Sequence, residues 1–192
     1  MDKHIYHAPN ALNLNQCSEL INLFNNSNKS EVKFGPSNEY TKSTNTYFYE
    51  YVVLNPLEIL VFESLSTHAQ EFVKIHPFLV SKTISPWGIQ GYCMLKKYKA
   101  GDFYSVEHCE HNSEKGQELR ILAWMFYLND INSGGGGTSF PRLNINLNAK
   151  AGDLYIWPAA WTHSHIGVPA PLEEKYILSG WFSYHKNNNI EN

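Results

Sequence analysis

The apolar positions change their spacing partway along the chain. In NLNQCSELINLFNN, Leu14, Cys17, Leu20, Ile21 and Phe24 fall three or four apart behind an Asn-rich start that can cap a helix. A second helical stripe runs from Pro56 to Ile75 through Leu57, Leu60, Val61, Leu65, Ala69 and Phe72. Between them SNKSEVKFGPSNEYTKSTN is polar and punctuated by Gly and Pro, which reads as loop. Residues 4 to 8 predict a short strand. After Pro86 the pattern shortens: GIQGYCMLKKYKAGDFY, RILAWMFYLND, GDLYIWPAAW and KYILSGWFSYH are aromatic and aliphatic runs separated by Gly, Pro, Asn and Asp, the signature of consecutive strands. Two helices followed by many short strands predict an α+β chain with an all-β core, a sandwich or barrel with the helices packed on one sheet. The expected organisation is one domain over 1–192, with 1–85 as N-terminal helical support and 86–185 as the strand-rich core.

Composition narrows the function classes. The 192 residues are 43% hydrophobic and 14% aromatic, enough for a real core. A net charge of −3 gives no electrostatic footprint for nucleic acid or an anionic membrane, and the pair Lys96-Lys97 is too sparse to change that. Cys17, Cys93 and Cys109 are odd in number, far apart and without a CxxC pair. The first residues lack the apolar core of a signal peptide, and no run approaches the ~20 apolar residues of a membrane span. A soluble protein of a reducing cytoplasm is expected. SGGGG and the tail HKNNNIEN are the low-complexity segments, the tail expected to fray.

The candidate chemistry begins in YSVEHCEHN, residues 104–112. If extended, this segment aims His108 and Glu110 to one side and Cys109 to the other, because side chains alternate along a strand. One imidazole and one carboxylate are two of the three ligands of a two-His-one-carboxylate site, which suits non-haem Fe(II) and leaves positions open. The third ligand is sought in WPAAWTHSHIGVP, at His163 or His165, which would face the same way in a strand. Lys175 begins the strand that follows, where a cation near a metal can pair with the distal carboxylate of a dicarboxylic co-substrate. The Tyr127 phenol can donate to the same group, and Tyr98 stands just upstream of the HxE pair. Glu107 and His111 read as surface residues. His4, His7, His68, His76 and His185 have no partner at ligand spacing.

From about Gly91 to Trp181 the order of these elements resembles the 2-oxoglutarate- and Fe(II)-dependent dioxygenases, in their prolyl 4-hydroxylase-like branch. The matching pieces are KKYKAGDFY, His108-Cys109-Glu110, Arg120, Tyr127-Leu128-Asn129, GGGTSF ending at Phe140, AGDLYIWP, HIGVP from His165 to Pro169, and Lys175. In that family the ligand His is followed by Pro about four residues on and by a basic residue about ten on, which selects His165 over His163. His163 then becomes a supporting donor or part of the site wall. The resemblance implies a double-stranded β-helix, or jelly roll, with Fe(II) held by His108, Glu110 and His165. It further implies 2-oxoglutarate on Lys175, Tyr127 and Ser179, with Tyr98 near the chelating end, and O2 as the other co-substrate. The implied activity is hydroxylation of a C–H bond, of a prolyl residue in a peptide or protein, with release of succinate and CO2. Trp157, Trp161 and Trp181 become candidate walls, and the segments Lys33–Thr46 and Asn112–Glu118 candidate substrate lids.

Two departures qualify the resemblance. Glu110 stands where Asp is usual, and Gly137 where GGxTxF commonly has Glu. The alternatives are a hydroxylase of a free amino acid or other small molecule, and a cupin-like metal-binding protein without oxygenase activity. Lys175 separates the last from the rest, since a site without a 2-oxo acid needs no cation there.

Overall fold

The computed structural model describes residues 2–28, 30–34, 41–49, 56–90, 92–102, 104–111 and 119–185. The segment Asn112–Glu118, part of Lys33–Thr46 and the tail beyond His185 lie outside the described residues. A short strand β1 (Tyr6–Ala8) leads into helix α1 (Leu14–Asn26). A capping box sets the helix start: the Asn13 side chain accepts from the Gln16 N–H, and the Gln16 side chain accepts from the Asn13 N–H. Cys17, Leu20 and Phe24 are buried, but Leu14 is 68% exposed. Leu12 is buried instead, its N–H donating to the Gly152 carbonyl just ahead of the helix. Helix α2 (Pro56–Ile75) buries Val61, Leu65, Ala69 and Phe72.

The polar stretch between the helices is not simply loop. It supplies an antiparallel pair, β2 (Ser30–Phe34) and β3 (Thr41–Tyr49), the latter rich in the Thr, Tyr and Phe that favour pleated backbone. The remaining strands are β4 (Trp87–Ile89), β5 (Tyr92–Tyr98), β6 (Tyr104–His108), β7 (Arg120–Tyr127), β8 (Thr138–Phe140), β9 (Ile145–Leu147), β10 (Leu154–Pro158), β11 (His165–Gly167) and β12 (Lys175–Tyr184). They pair antiparallel in the order β1-β10-β7-β12-β5-β3-β6-β11-β8-β9, with β2 on β3 and β4 on β12. The sheet curls on itself as the expected jelly roll, with both helices against the outside of the β1-β10-β7-β12-β5 layer.

This placement explains why the central strands read as nearly continuous apolar runs: both faces are covered. Leu122, Trp124 and Phe126 of β7 face the helices with Leu154 and Ile156 of β10 and Leu178 and Phe182 of β12. Their alternate neighbours, Ala123, Met125, Tyr127, Tyr155, Trp157, Ile177 and Trp181, fill the barrel interior. The register Lys175↔Tyr98, Ile177↔Lys96 and Ser179↔Met94 carries Lys175, Ser179, Lys96 and Tyr98 onto that same inner face.

Two glycines close the barrel end. Gly135 (φ +74°) has a left-handed backbone, and a Cβ there would lie 2.2 Å from the Pro169 carbonyl. A Cβ on Gly137 would lie 1.8 Å from the Leu147 carbonyl. The position where the family often has Glu is therefore filled here by the backbone at the end of β9. The Val168 N–H donates to the Gly137 carbonyl (2.9 Å), tying this turn to the stretch after β11.

Candidate metal centre

His108 ends β6, and its Nδ1 bonds to the Val106 carbonyl (2.8 Å). His165 begins β11 directly opposite it in register, with Nδ1 bonded to the His163 carbonyl (3.0 Å). With Nδ1–H donated to a carbonyl, each imidazole presents the lone pair of Nε2 to the space between the strands. Glu110 comes from a bend past the end of β6, so strand alternation is not what aims it. Its backbone N–H donates to the Ala159 carbonyl (3.0 Å), and this bond turns the side chain inward. Glu110 Oε1 then lies 3.5 Å from His108 Nε2 and 3.8 Å from His165 Nε2. The three ligand atoms all fall within 4.8 Å of one another.

Glu110 Oε2 is held from the other side. The Trp181 indole N–H donates to it (2.9 Å), and Arg120 Nη1 lies 3.5 Å away while the guanidinium carbon sits 3.5 Å over the Trp181 ring. Anchoring one oxygen takes up the slack of the additional methylene and leaves the other facing the imidazoles. Burial raises the Glu110 carboxyl, but the contact with His108 and the charges of His165, His108 and Lys96 outweigh it and hold the group at about 2. Burial, reinforced by His108, pushes His165 down to about 4. An ionised carboxylate beside a neutral imidazole is the protonation state that metal binding requires. Two imidazoles and a carboxylate fit Fe(II), with coordination positions left for other ligands. Trp181→Phe keeps the ring but deletes the N–H, and is expected to weaken Fe(II) binding by ~10–100-fold, the usual cost of losing a ligand's supporting bond. Competition against a ferrous chelator measures it.

The same cavity holds the sequence-predicted anchors. Lys175 is 5% exposed; its ammonium donates to the Val168 carbonyl (3.2 Å) and lies 4.7 Å from the Tyr98 ring centroid. Among the described residues no carboxylate pairs with it. Burial, then Lys96, pushes it down to about 8, so it remains largely cationic at neutral pH. Ser179 lines the cavity with its hydroxyl buried and without a hydrogen-bond partner among the described residues. Tyr127 is fully buried and bonds to Thr138 Oγ1 (2.8 Å); Thr138, rather than Tyr127, forms the wall. A buried cation and an unused hydroxyl in one cavity suit a carboxylate, so the cavity fits the distal group of a 2-oxo diacid.

Other expectations change. His163 and His165 do not share a strand face, because His163 closes a single 3-10 turn (Trp161–His163) and only His165 enters β11. The His163 ring therefore points elsewhere, and its carbonyl is what serves His165. Trp161 is 75% exposed on that turn and walls nothing, whereas Trp157 and Trp181 line the cavity. Glu107 is no idle surface acid: it accepts from Ser164 Oγ (2.6 Å) and Arg142 Nε (2.7 Å). His111 is exposed, as expected. Sequence reasoning missed Lys96, which lines the cavity beside the triad; i,i+2 alternation from Tyr98 was the available signal. A larger groove of about 700 Å³ lies between α2 and β4, away from the triad.

Comparisons with known proteins bear on the family and the fold. Residues 93–183 match the 2OG-Fe(II) oxygenase superfamily. The human prolyl 4-hydroxylase subunit alpha-1 is 26% identical over 87 residues, 42% of this chain and 16% of that protein. A protein of Acanthamoeba polyphaga mimivirus, provisionally named a prolyl 4-hydroxylase, is 32% identical over 107 residues, 47% of this chain and 43% of its own length. The chain thus spans less than half the length of these relatives. In fold it is similar to the viral collagen prolyl hydroxylase of Paramecium Bursaria Chlorella virus-1, solved with 2OG, at a TM-score of 0.70, 19% identity and coverage of 96% and 98% of the two chains. It is also similar to a Trichoplax adhaerens prolyl hydroxylase in complex with a hypoxia inducible factor peptide, at a TM-score of 0.70, 16% identity and coverage of 100% and 88%. The family's cofactor set is Fe(II) with 2-oxoglutarate and O2 as co-substrates. Residues 93–183 thus resemble the 2OG-Fe(II) oxygenase superfamily, and the relatives and structures named above carry prolyl hydroxylase names.

Proposed function

We propose that the protein is an Fe(II)- and 2-oxoglutarate-dependent oxygenase that hydroxylates a prolyl residue in a peptide or protein, releasing succinate and CO2. The observation that carries this reading is one cavity holding both the His108–Glu110–His165 triad and the buried ammonium of Lys175, with which no carboxylate pairs among the described residues. When bound, Fe(II) with 2-oxoglutarate supplies the oxygen chemistry. The chain's own residues do the rest. His108, Glu110 and His165 hold the metal, and Lys175 with Ser179 orients the co-substrate's far carboxylate. Trp157 and Trp181 keep bulk water from the reacting centre. The three cysteines are free, which suits the expected reducing, cytoplasmic setting. Among the described residues no helix is long and apolar enough to cross a membrane.

Anaerobic addition of Fe(II) and 2-oxoglutarate should produce the weak visible charge-transfer band of the chelate. Admitting air with a proline-containing peptide should then yield succinate and a peptide heavier by one oxygen. Absence of both band and succinate refutes the reading.

A second reading, hydroxylation of a carboxylate-bearing small molecule such as a free amino acid, is favoured by Lys96. Its ammonium shares the cavity with Lys175 and sits close enough to both Glu110 and Arg120 to feel their charges. Burial pushes it below the ordinary lysine value. One 2-oxoglutarate carboxylate satisfies Lys175; a substrate anion satisfies Lys96. On this reading Lys96→Met raises the KM of an anionic substrate by ~10–100-fold, the scale of one partly buried charge pair, and leaves a neutral peptide unaffected. Equal KM values for both in wild type and variant favour the prolyl peptide.

A further inference from the structure

A second cluster of metal-ligand side chains lies away from the triad. The turn Asp2–Ile5, closed by the Ile5 N–H on the Asp2 carbonyl (3.1 Å), precedes β1. Because β1 runs along β10, this turn meets the 3-10 turn that follows β10 and ends at His163. Asp2 Oδ1 is bonded by His4 Nδ1 (2.9 Å) and by the His4 N–H (2.7 Å), and one ligand atom each from Asp2, His4 and His163 lie within 4.8 Å of one another. The His4 and His163 rings meet edge to face at 6.0 Å. His76, near the end of α2, stacks on the back of His4 at 5.1 Å and bonds to the Lys3 carbonyl (3.0 Å), so the turn is fixed from behind.

An independent observation separates this cluster from a chance gathering of polar groups. His163 is 6% exposed; its Nδ1 is used by Thr162 Oγ1 (3.0 Å), yet its Nε2 is buried with no hydrogen-bond partner among the described residues. Buried polar atoms are nearly always satisfied. A buried imidazole with one nitrogen idle, gathered with a second imidazole and a carboxylate, is a ready donor set for a metal ion.

We propose that Asp2, His4 and His163 form a second metal site, for a borderline divalent ion of the Zn²⁺ class, with a water completing the coordination. It would join the N-terminal turn to the residue whose carbonyl orients His165, and so lock one support of the triad. The site is separate from the proposed iron centre and does not depend on that centre's function.

Metal-free protein titrated anaerobically with Co²⁺ alone, followed by its visible d–d absorption and by calorimetry, decides the matter. The expected result is two equivalents for the wild type, one for each cluster. His4→Gln, a change at a half-exposed side chain, should lower this to one equivalent, as should His163→Gln. His108→Ala should also retain one, and that one should vanish in the double variant with His4→Gln. If the wild type binds one equivalent that His108→Ala removes and His4→Gln spares, the second site does not exist while the triad stands. If the single equivalent is instead removed by His4→Gln and spared by His108→Ala, the second site stands and the triad reading fails. Two equivalents surviving both His4→Gln and His163→Gln also overturn the proposal.

Discussion

Replacing His165 with alanine is expected to abolish the 2-oxoglutarate charge-transfer band and to reduce turnover to background. His165 Nε2 is one of the three converging ligand atoms, the residue is 6% exposed, and its Nδ1 is fixed by the His163 carbonyl. Removing a supporting bond around a metal already costs ~10–100-fold in affinity, so removing the ligand itself costs more than that. The informative control is His163→Ala. Alanine keeps the backbone carbonyl that orients His165, so the band should persist and Fe(II) affinity at the triad should change by less than ~10-fold, well inside the loss expected for the ligand. Loss of the band in His163→Ala with its retention in His165→Ala would reverse the assignment. The chelate band is the proper readout because it reports the triad alone, whatever other metal the Asp2–His4–His163 cluster takes up.

What the sequence told of this site follows from how far each contact reaches. Helix α2 was legible in its bounds and in Val61, Leu65, Ala69 and Phe72, a purely local pattern, although Leu60, counted in the same stripe, is 45% exposed. The Ser30–Phe34 and Thr41–Tyr49 pair was not, since both strands are polar and Gly35-Pro36 between them suggested nothing beyond a turn. Alternation rightly placed His108 within a strand but gave the wrong reason for Glu110, which is aimed by a hydrogen bond to Ala159 some fifty residues on. The choice between His163 and His165 could not be made from periodicity, because the 3-10 turn that separates them depends on tertiary packing. The offsets to Pro169 and Lys175 carried that choice. Lys96 was weighed only as half of a sparse basic pair, although two residues separate it from inward-facing Tyr98. His4 was dismissed for lack of a neighbour in sequence; its partner is His163, brought across the fold by β1 pairing on β10.

Lys175→Met is expected to raise the KM for 2-oxoglutarate about 100-fold while leaving Fe(II) binding within a factor of about two, because the side chain lies with the co-substrate and not among the metal ligands. Truncating one partner of a buried charge pair costs ~2–5 kcal/mol, and 1.4 kcal/mol is about tenfold, so ~3 kcal/mol gives the stated factor. Methionine preserves most of the volume against Tyr98, which separates loss of charge from loss of packing. The wild type should show the same dependence through pH. Lys175 is buried against Lys96 and the Tyr98 ring, both from β5; the ring face attracts the ammonium, but burial and the Lys96 charge oppose it and bring Lys175 down to about 8. Only the cation binds the carboxylate, so the KM for 2-oxoglutarate should be flat below that value and climb as pH rises through it. Binding opposes that loss, because a bound carboxylate favours the ammonium and moves its titration upward in the complex. The fall in kcat/KM, which reports the free enzyme, should therefore set in at lower pH than any fall in kcat. Lys175→Met must lose this limb of the profile; a variant that keeps it places the anchoring cation elsewhere, with Lys96 the alternative in the same cavity.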